Sequence, residues 1–248
     1  MLLLFGPRRG TELVRTRRLW SQIGASLLML GMPLSFIWEL QRMSVPDASV
    51  VFWIAPALIV LISIVARMQY GGLTTIGATL VGLVGAILIC SPDAGVFRRA
   101  AVLGVGMAGC FALYMVVVRS MQHEPILTKL FHTALWVFLS LTIGLPMFWK
   151  TPTVRGMVAM IVIGLLGWLG LLALDLAIEV MPIGLLAPVL YTQLVWDMLI
   201  QWPLRMEPVD MKTVIGAGLA LAAAVPAMMR RGSSSVPRLA DRGAGVPA

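Results

Sequence analysis

Charged residues are scarce in this chain. Asp, Glu, Lys and Arg fill 12% of its 248 positions, against about a quarter in ordinary soluble domains, which excludes a water-facing surface over most of a fold this size. Cysteine is nearly absent too. Cys90 and Cys110 are too few and too far apart for a metal or redox motif, and small-residue packing is the role expected of each. His123 and His132 have no second ligand at usable spacing, and "HEPIL" lacks the second His of the zinc-protease pattern. The first is read as a solvated loop residue and the second as a span-end residue. No Gly-x-Ser-x-Gly, His-Glu-x-x-His, Gly-rich phosphate loop or Ser/Lys pair in adjacent apolar stretches is present, so the chain reads as no enzyme and as needing no cofactor.

Apolar residues, in contrast, make up 59% of the chain and fall in blocks. Several approach about 20 residues, the length that crosses a hydrocarbon core of about 30 Å. Apolar runs and breakers give eight spans: Leu19–Gln41, Asp47–Ala66, Gly71–Cys90, Ala100–Val118, Leu130–Trp149, Gly156–Ile178, Ile183–Trp202 and Met211–Met229. A backbone in lipid must satisfy its own hydrogen bonds, so helices are expected. The fold class is an all-α polytopic membrane bundle of about eight transmembrane helices. Connections such as "RMQY", "KTPTVR" and "EVMP" are too short for a soluble domain, and the tail "GSSSVPRLADRGAGVPA" has the composition of a disordered segment.

The net charge of +8 does not argue for nucleic acid, which needs a basic stripe on a soluble face. These Lys and Arg lie in connections and at both ends, so the lipid bilayer is the partner implied. Eight spans put both termini on one side, which carries twelve Lys and Arg against seven on the other, with Lys129 counted among the twelve. The positive-inside rule makes that side cytoplasmic, although the connecting loops alone lean the other way, three against seven.

Several spans carry closely spaced small residues: Gly77, Gly82, Gly85 and Ala86; Gly104 and Ala108; Gly164, Gly167 and Gly170; Gly216, Ala220 and Ala224. Helix-on-helix packing is their expected role. Polar residues inside spans are the candidates for chemistry, because an ionised carboxylate near the bilayer centre costs about 2.5–3.5 kcal/mol on insertion scales. Glu39, Asp175, Glu179 and Asp197 lie toward span ends, where interfacial water competes with a cavity as the explanation. Gln193, Asp197 and Gln201 recur at i, i+4 and i+8 and share a face, expected to meet the interior or a water path. Trp168, Asp175 and Glu179 share a face of the sixth span, and Ser35 lies one turn from Glu39.

The second span, "VPDASVVFWIAPALIVLIS", and the seventh, "VMPIGLLAPVLYTQLVWDML", form a near-repeat. Each has a proline at its start (Pro46, Pro182) and Ala-Pro-x-Leu within the helix (Pro56, Pro188). An internal proline frees the carbonyl four residues back, here at Phe52 and Gly184, beside Trp53 or Tyr191. Such a bend serves either a solute or packing alone. In the register of the first prolines Glu39 matches Asp175, each seven residues upstream, one toward each membrane face; the Ala-Pro pairs shift that register by about one turn.

"FIWELQRMSVPDASVVFWIAPALIVLIS", "GATLVGLVGAILICSPDAG" and "LLAPVLYTQLVWDML…EPVDMKTVIGAGLALAAA" together resemble the EamA-type family of the drug/metabolite transporter superfamily, over the chain as far as about Arg231. The resemblance implies two inverted five-helix halves that move small metabolites across bacterial inner membranes. "MLLLFGPRRGTELVRTRR" is similar to the end of that family's second helix and the basic loop after it. The implied organisation is a basic cytoplasmic segment over 1–18, a three-helix remnant of the first repeat over 19–90, a five-helix second repeat over 100–230 and a disordered tail over 231–248. It also implies a start called late, and leaves a shortened variant as the other case. Glu39 stands where members carry a small residue, and "RMQYGG" where they often carry Gly-Glu. Carried over by position, Trp53, Pro56, Pro188, Tyr191 and Gln193 face a central cavity.

The function expected is a secondary carrier of a small metabolite or drug-like solute by alternating access. Buried carboxylates and several Trp suit a cationic solute through charge and ring-face attraction, and Glu39 or Asp175 could exchange protons with it. The alternative is a shortened membrane paralogue without transport, or an assembly partner, in which a homodimer could cover missing helices.

Overall fold

The computed structural model describes residues 16, 18–41, 51–68, 72–90, 103–148, 151–205 and 210–231. The N-terminal segment to residue 15, Pro46 with its turn, and the tail from 232 lie outside them. The described residues form helices and turns with no strand: α1 Leu19–Leu40, α2 Ala55–Val65, α3 Leu73–Cys90, α4 Leu103–Ser120, α5 Ile126–Phe148, α6 Val154–Val180, α7 Ile183–Leu190, α8 Thr192–Arg205 and α9 Met211–Arg231. Five stretches are long and apolar enough to cross a membrane: α1, α3, Ile126–Pro146 of α5, α6, and Ile183–Ile200 across α7 and α8. The chain is a polytopic helical membrane bundle.

Local chemistry sets the ends of these helices. Thr153 caps α6 by accepting the Gly156 amide at 3.2 Å, and Met181, extended, ends it before Pro182. At the C-terminus of α2, Arg67 takes a left-handed φ of 52°. The Met68 amide then reaches the Ser63 carbonyl (2.8 Å) and the Arg67 amide the Ile64 carbonyl (3.0 Å), so the last carbonyls are satisfied by a Schellman turn. Hydroxyls inside the spans bond back to the carbonyl four residues earlier, as Ser26, Ser63 and Thr79 do at 2.6, 2.6 and 2.8 Å. They therefore need no partner from lipid.

Two spans are broken. Val51 and Phe52 are helical, Trp53 and Ile54 form a turn, and α2 begins at Ala55. Pro56 therefore stands in the first turn of a new helix, where its missing N–H costs nothing. The kink expected at an internal Pro56 is corrected to a break before it. In the seventh span Pro188 does lie within a helix, α7, and the break follows at Tyr191. The fifth span also begins a turn earlier than expected, at Ile126 rather than Leu130.

The near end of the bundle holds the start of α1 and α5 and the close of α4 and α6, tied by the bonds described below. The far end holds the close of α1 and the start of α4. The most extensive contact joins α3 to α9, followed by α1 with α4. α7 is the central piece: Ile183 through Pro188 are all buried, and it touches α2, α3, α4 and α9. Gly85 and Gly216 make the α3–α9 crossing close, because a Cβ on either would stand 2.7 Å from the other's carbonyl oxygen. Gly104, Ala108, Ala220 and Ala224 are buried as the packing reading expects. Gly164, Gly167 and Gly170 are not: a Cβ on any of them meets nothing within 4 Å, and no part of α6's most apolar stretch is buried among the described residues.

Gly85→Ala and Gly216→Ala are each expected to cost about 1–3 kcal/mol of overpacking against backbone. Gly77→Ala and Gly164→Ala, in open space, should hold or raise stability by the helix preference of up to about 1 kcal/mol. Thermal unfolding of the purified protein separates the pairs, and four similar shifts would refute the close crossing.

Candidate functional site

The two helix breaks meet. The Tyr191 hydroxyl donates to the Trp53 carbonyl at 3.2 Å, and the two rings lie 6.3 Å apart. Phe52 stacks edge-on with Trp53 at 5.4 Å and tilts against Phe111 of α4 at 5.3 Å. Trp53, Pro56, Pro188 and Tyr191 are all buried. The ring of Tyr191 lies over Gly82, where a Cβ would stand 2.2 Å from its Cδ2, so α3 gives up a side chain to seat it. A break in a lipid-embedded helix leaves backbone groups without helical partners, and the Tyr191 hydroxyl supplies one to the carbonyl freed at Trp53.

A second centre, wholly polar, occupies the near end. Lys129 on α5 donates to Glu179 on α6 at 2.9 Å; the lysine side chain is 2% exposed and the glutamate 29%. Asp175, one turn along α6 and buried, accepts from the Tyr114 hydroxyl of α4 at 3.4 Å. The Arg119 guanidinium donates to the Ile178 carbonyl, and Arg18 donates to the Ser120 carbonyl at 3.0 Å. These arginines complete carbonyls at the C-termini of α6 and α4, where the helix dipole also favours a cation. Ser26 reaches the His132 carbonyl at 3.4 Å, joining α1 to α5, and His132 Nδ1 lies 2.9 Å from the Thr128 carbonyl. Both amide atoms of the buried Gln22 and the indole N–H groups of Trp136 and Trp168 have no hydrogen-bond partner among the described residues.

Glu39 stands apart at the far end. It is 2% exposed, neither carboxylate oxygen has a hydrogen-bond partner among the described residues, and Oε1 lies 3.0 Å from where a Cβ on Gly104 would stand. The alternation of the helices does place Glu39 and Asp175 at opposite ends. On α8, Gln193 is exposed and Asp197 half-buried, while the side chain of Gln201 lies outside the described residues. The face carrying Gln193 is thus open rather than packed in the core.

Of the residues singled out in the sequence, the structure brings together Trp53 and Tyr191, and separately Asp175 and Glu179. Three partners of the polar centre were missed. Lys129, counted among loop cations, and His132, read as a span-end residue, are both buried inside α5; Tyr114 is buried in α4. The available signal was the spacing of Lys129, His132 and Trp136, three and then four residues apart on one helical face, once the helix is begun at Ile126. Cys90 and Cys110 are free, and Cys110 packs its sulfur on Gly31 at the α1–α4 crossing.

Comparison with known proteins gives relatives and a fold. No family model matches the chain. Two proteins from two strains of Helicobacter pylori, each described as an uncharacterized transporter, are 26% identical over 79% of this chain and 70% of their own length. A crystal structure of a protein superposes with a TM-score of 0.75 over 94% of this chain and 84% of that one, at 20% identity. At that identity the likeness is one of fold.

The burial of the ion pair predicts an asymmetry. Glu179→Gln leaves an ammonium sealed in the bundle with only the neighbouring Asp175 to offset it, a loss of up to about 3–5 kcal/mol, the range for a buried charge stripped of its partner. Lys129→Met leaves a carboxylate that already reaches water and costs far less. Unfolding midpoints of the two variants should differ in that order, and equal or reversed midpoints would contradict the geometry.

Proposed function

We propose that the chain is a secondary carrier of the EamA type in the drug/metabolite transporter superfamily. It moves a small solute by alternating access across a bacterial inner membrane, with both termini cytoplasmic. The observation that carries this reading is the meeting of two broken helices in the bundle interior. Discontinuous helices at corresponding positions of two repeats are how such carriers build a site near the membrane midplane. The breaks also favour one register. Trp53 and Tyr191 are 138 residues apart and Pro46 and Pro182 are 136 apart, whereas the Ala-Pro pairs at Pro56 and Pro188 differ by 132. The breaks thus agree with the register in which Glu39 and Asp175 correspond. The description of the two relatives as transporters supports the same reading.

The acids divide between two tasks. Asp175 and Glu179 are engaged with Tyr114 and Lys129 in this structure, so neither stands ready to neutralise a cation. That weakens the cationic solute inferred from composition. Glu39, buried with both oxygens unengaged among the described residues, is the sealed acid left to carry a proton, Asp197 being only half-buried. Such a carboxylate is tolerated in the membrane as the neutral acid or with a partner that neutralises it, so its protonation links to the state of the carrier. A second reading, an assembly partner without transport of its own, draws on the uncovered face of α6.

Purified protein in liposomes, with a pH-sensitive dye inside, reports proton movement as labelled solutes are supplied outside. Uptake by the wild type should respond to an imposed pH gradient, and Glu39→Gln should lose that response while still exchanging solute. Full pH-driven uptake by the variant would remove Glu39 from coupling. Absence of flux with every solute, together with a stable complex in native membranes, would favour the second reading.

A further inference from the structure

The near end carries an open cavity of about 490 Å³, lined by Gln122, His123, Glu124, the first residues of α5 and Glu179. Of the Lys129–Glu179 pair, Glu179 borders this cavity and Lys129 does not. The ammonium lies behind the carboxylate, inside the bundle.

We propose that this end binds the carboxylate group of the transported solute, with Lys129 as the anion-binding side chain and Glu179 as its displaceable occupant. The inference rests on the carrier reading and names its solute class. Burial decides which partner moves: Glu179 is 29% exposed and Lys129 2%. A solute carboxylate arriving from the cavity meets the glutamate first and replaces it on the ammonium, and Glu179 turns into the water it already touches. Carboxylate replaces carboxylate at Lys129, facing Arg119 on α4 and Asp175 on α6 as before, while Glu179 carries its charge into the cavity that Glu124 also lines. A cationic solute would have to expel the sealed Lys129 instead.

The test uses the full chain in detergent and paired probes of one shape, benzoate against benzylamine, with acetate and succinate as smaller acids. Tryptophan fluorescence and the unfolding midpoint read binding. The carboxylates should shift both and benzylamine neither. Glu179→Gln should bind the same acids about tenfold more tightly, because its built-in competitor is gone, and added acid should restore its lost stability. Lys129→Met should abolish the response and Lys129→Arg keep it. If Glu179→Gln does not fold, Glu179→Asp, a shorter occupant, should tighten binding in the same direction by less. Equal responses to benzoate and benzylamine, unchanged or weaker affinity in the Glu179 variants, or no carboxylate response at all would each overturn the proposal. Binding is read without a membrane, so carboxylate binding without flux in liposomes rejects the carrier reading alone. Flux indifferent to the solute's carboxylate rejects this inference alone.

Discussion

One hydrogen bond joins the two interruptions found within spans among the described residues, at Trp53–Ile54 and at Tyr191. In hydrocarbon an unpaired backbone carbonyl costs several kcal/mol, so a break in a membrane helix persists only where something else supplies the partner. Here the Tyr191 hydroxyl supplies it to the Trp53 carbonyl, and the supplier is itself the residue at the other break. Each irregularity is the condition for the other. The demand then spreads outward: Tyr191 needs room, which Gly82 provides, and α7 must lie centrally for the hydroxyl to reach. The close α3–α9 contact through Gly85 and Gly216 flanks this arrangement.

The near end answers the same demand with charge instead of a neutral hydroxyl. Four helix termini converge there, and the carbonyls left over by α4 and α6 are met by Arg18 and Arg119. Each arginine reaches from one segment to another, so completing a helix end and joining two helices are one act. Lys129 and Glu179 add a link between α5 and α6, which otherwise share few contacts. The stiffness of this end therefore depends on ionic links, while that of the α3–α9 side depends on close packing.

The eight spans and the all-helical class were legible because apolar block length is a property of composition, insensitive to what packs against what. The breaks were half legible. Proline marked both regions, but a proline permits an interruption without locating it: at Pro56 the chain breaks before the ring and at Pro188 after it. Trp53 and Tyr191 were found through their neighbouring prolines. Lys129, Tyr114 and Gln22 were not, for two reasons. A one-turn error in the start of α5 placed Lys129 in a loop, and a lone tyrosine or glutamine in an apolar run carries no mark of which helix it will face. The small-residue rule held for Gly82, Gly85 and Ala86 of α3, for α4 and for α9, and gave no contact at Gly77 or on α6, since glycine spacing shows that a helix can be approached closely, not that it is.

The uncovered face of α6 bears on how the protein is made. Its mean hydropathy, 2.5, is the highest of the five spanning stretches, and its 27 residues exceed what the hydrocarbon core requires. Such a segment leaves the translocation channel for lipid without help from its neighbours. α2, with eleven residues, reaches only about half that thickness and is held by company. Insertion and packing thus fall to different helices: α6 is fitted to be a self-sufficient anchor during synthesis, and the short α2 settles against partners already in the membrane.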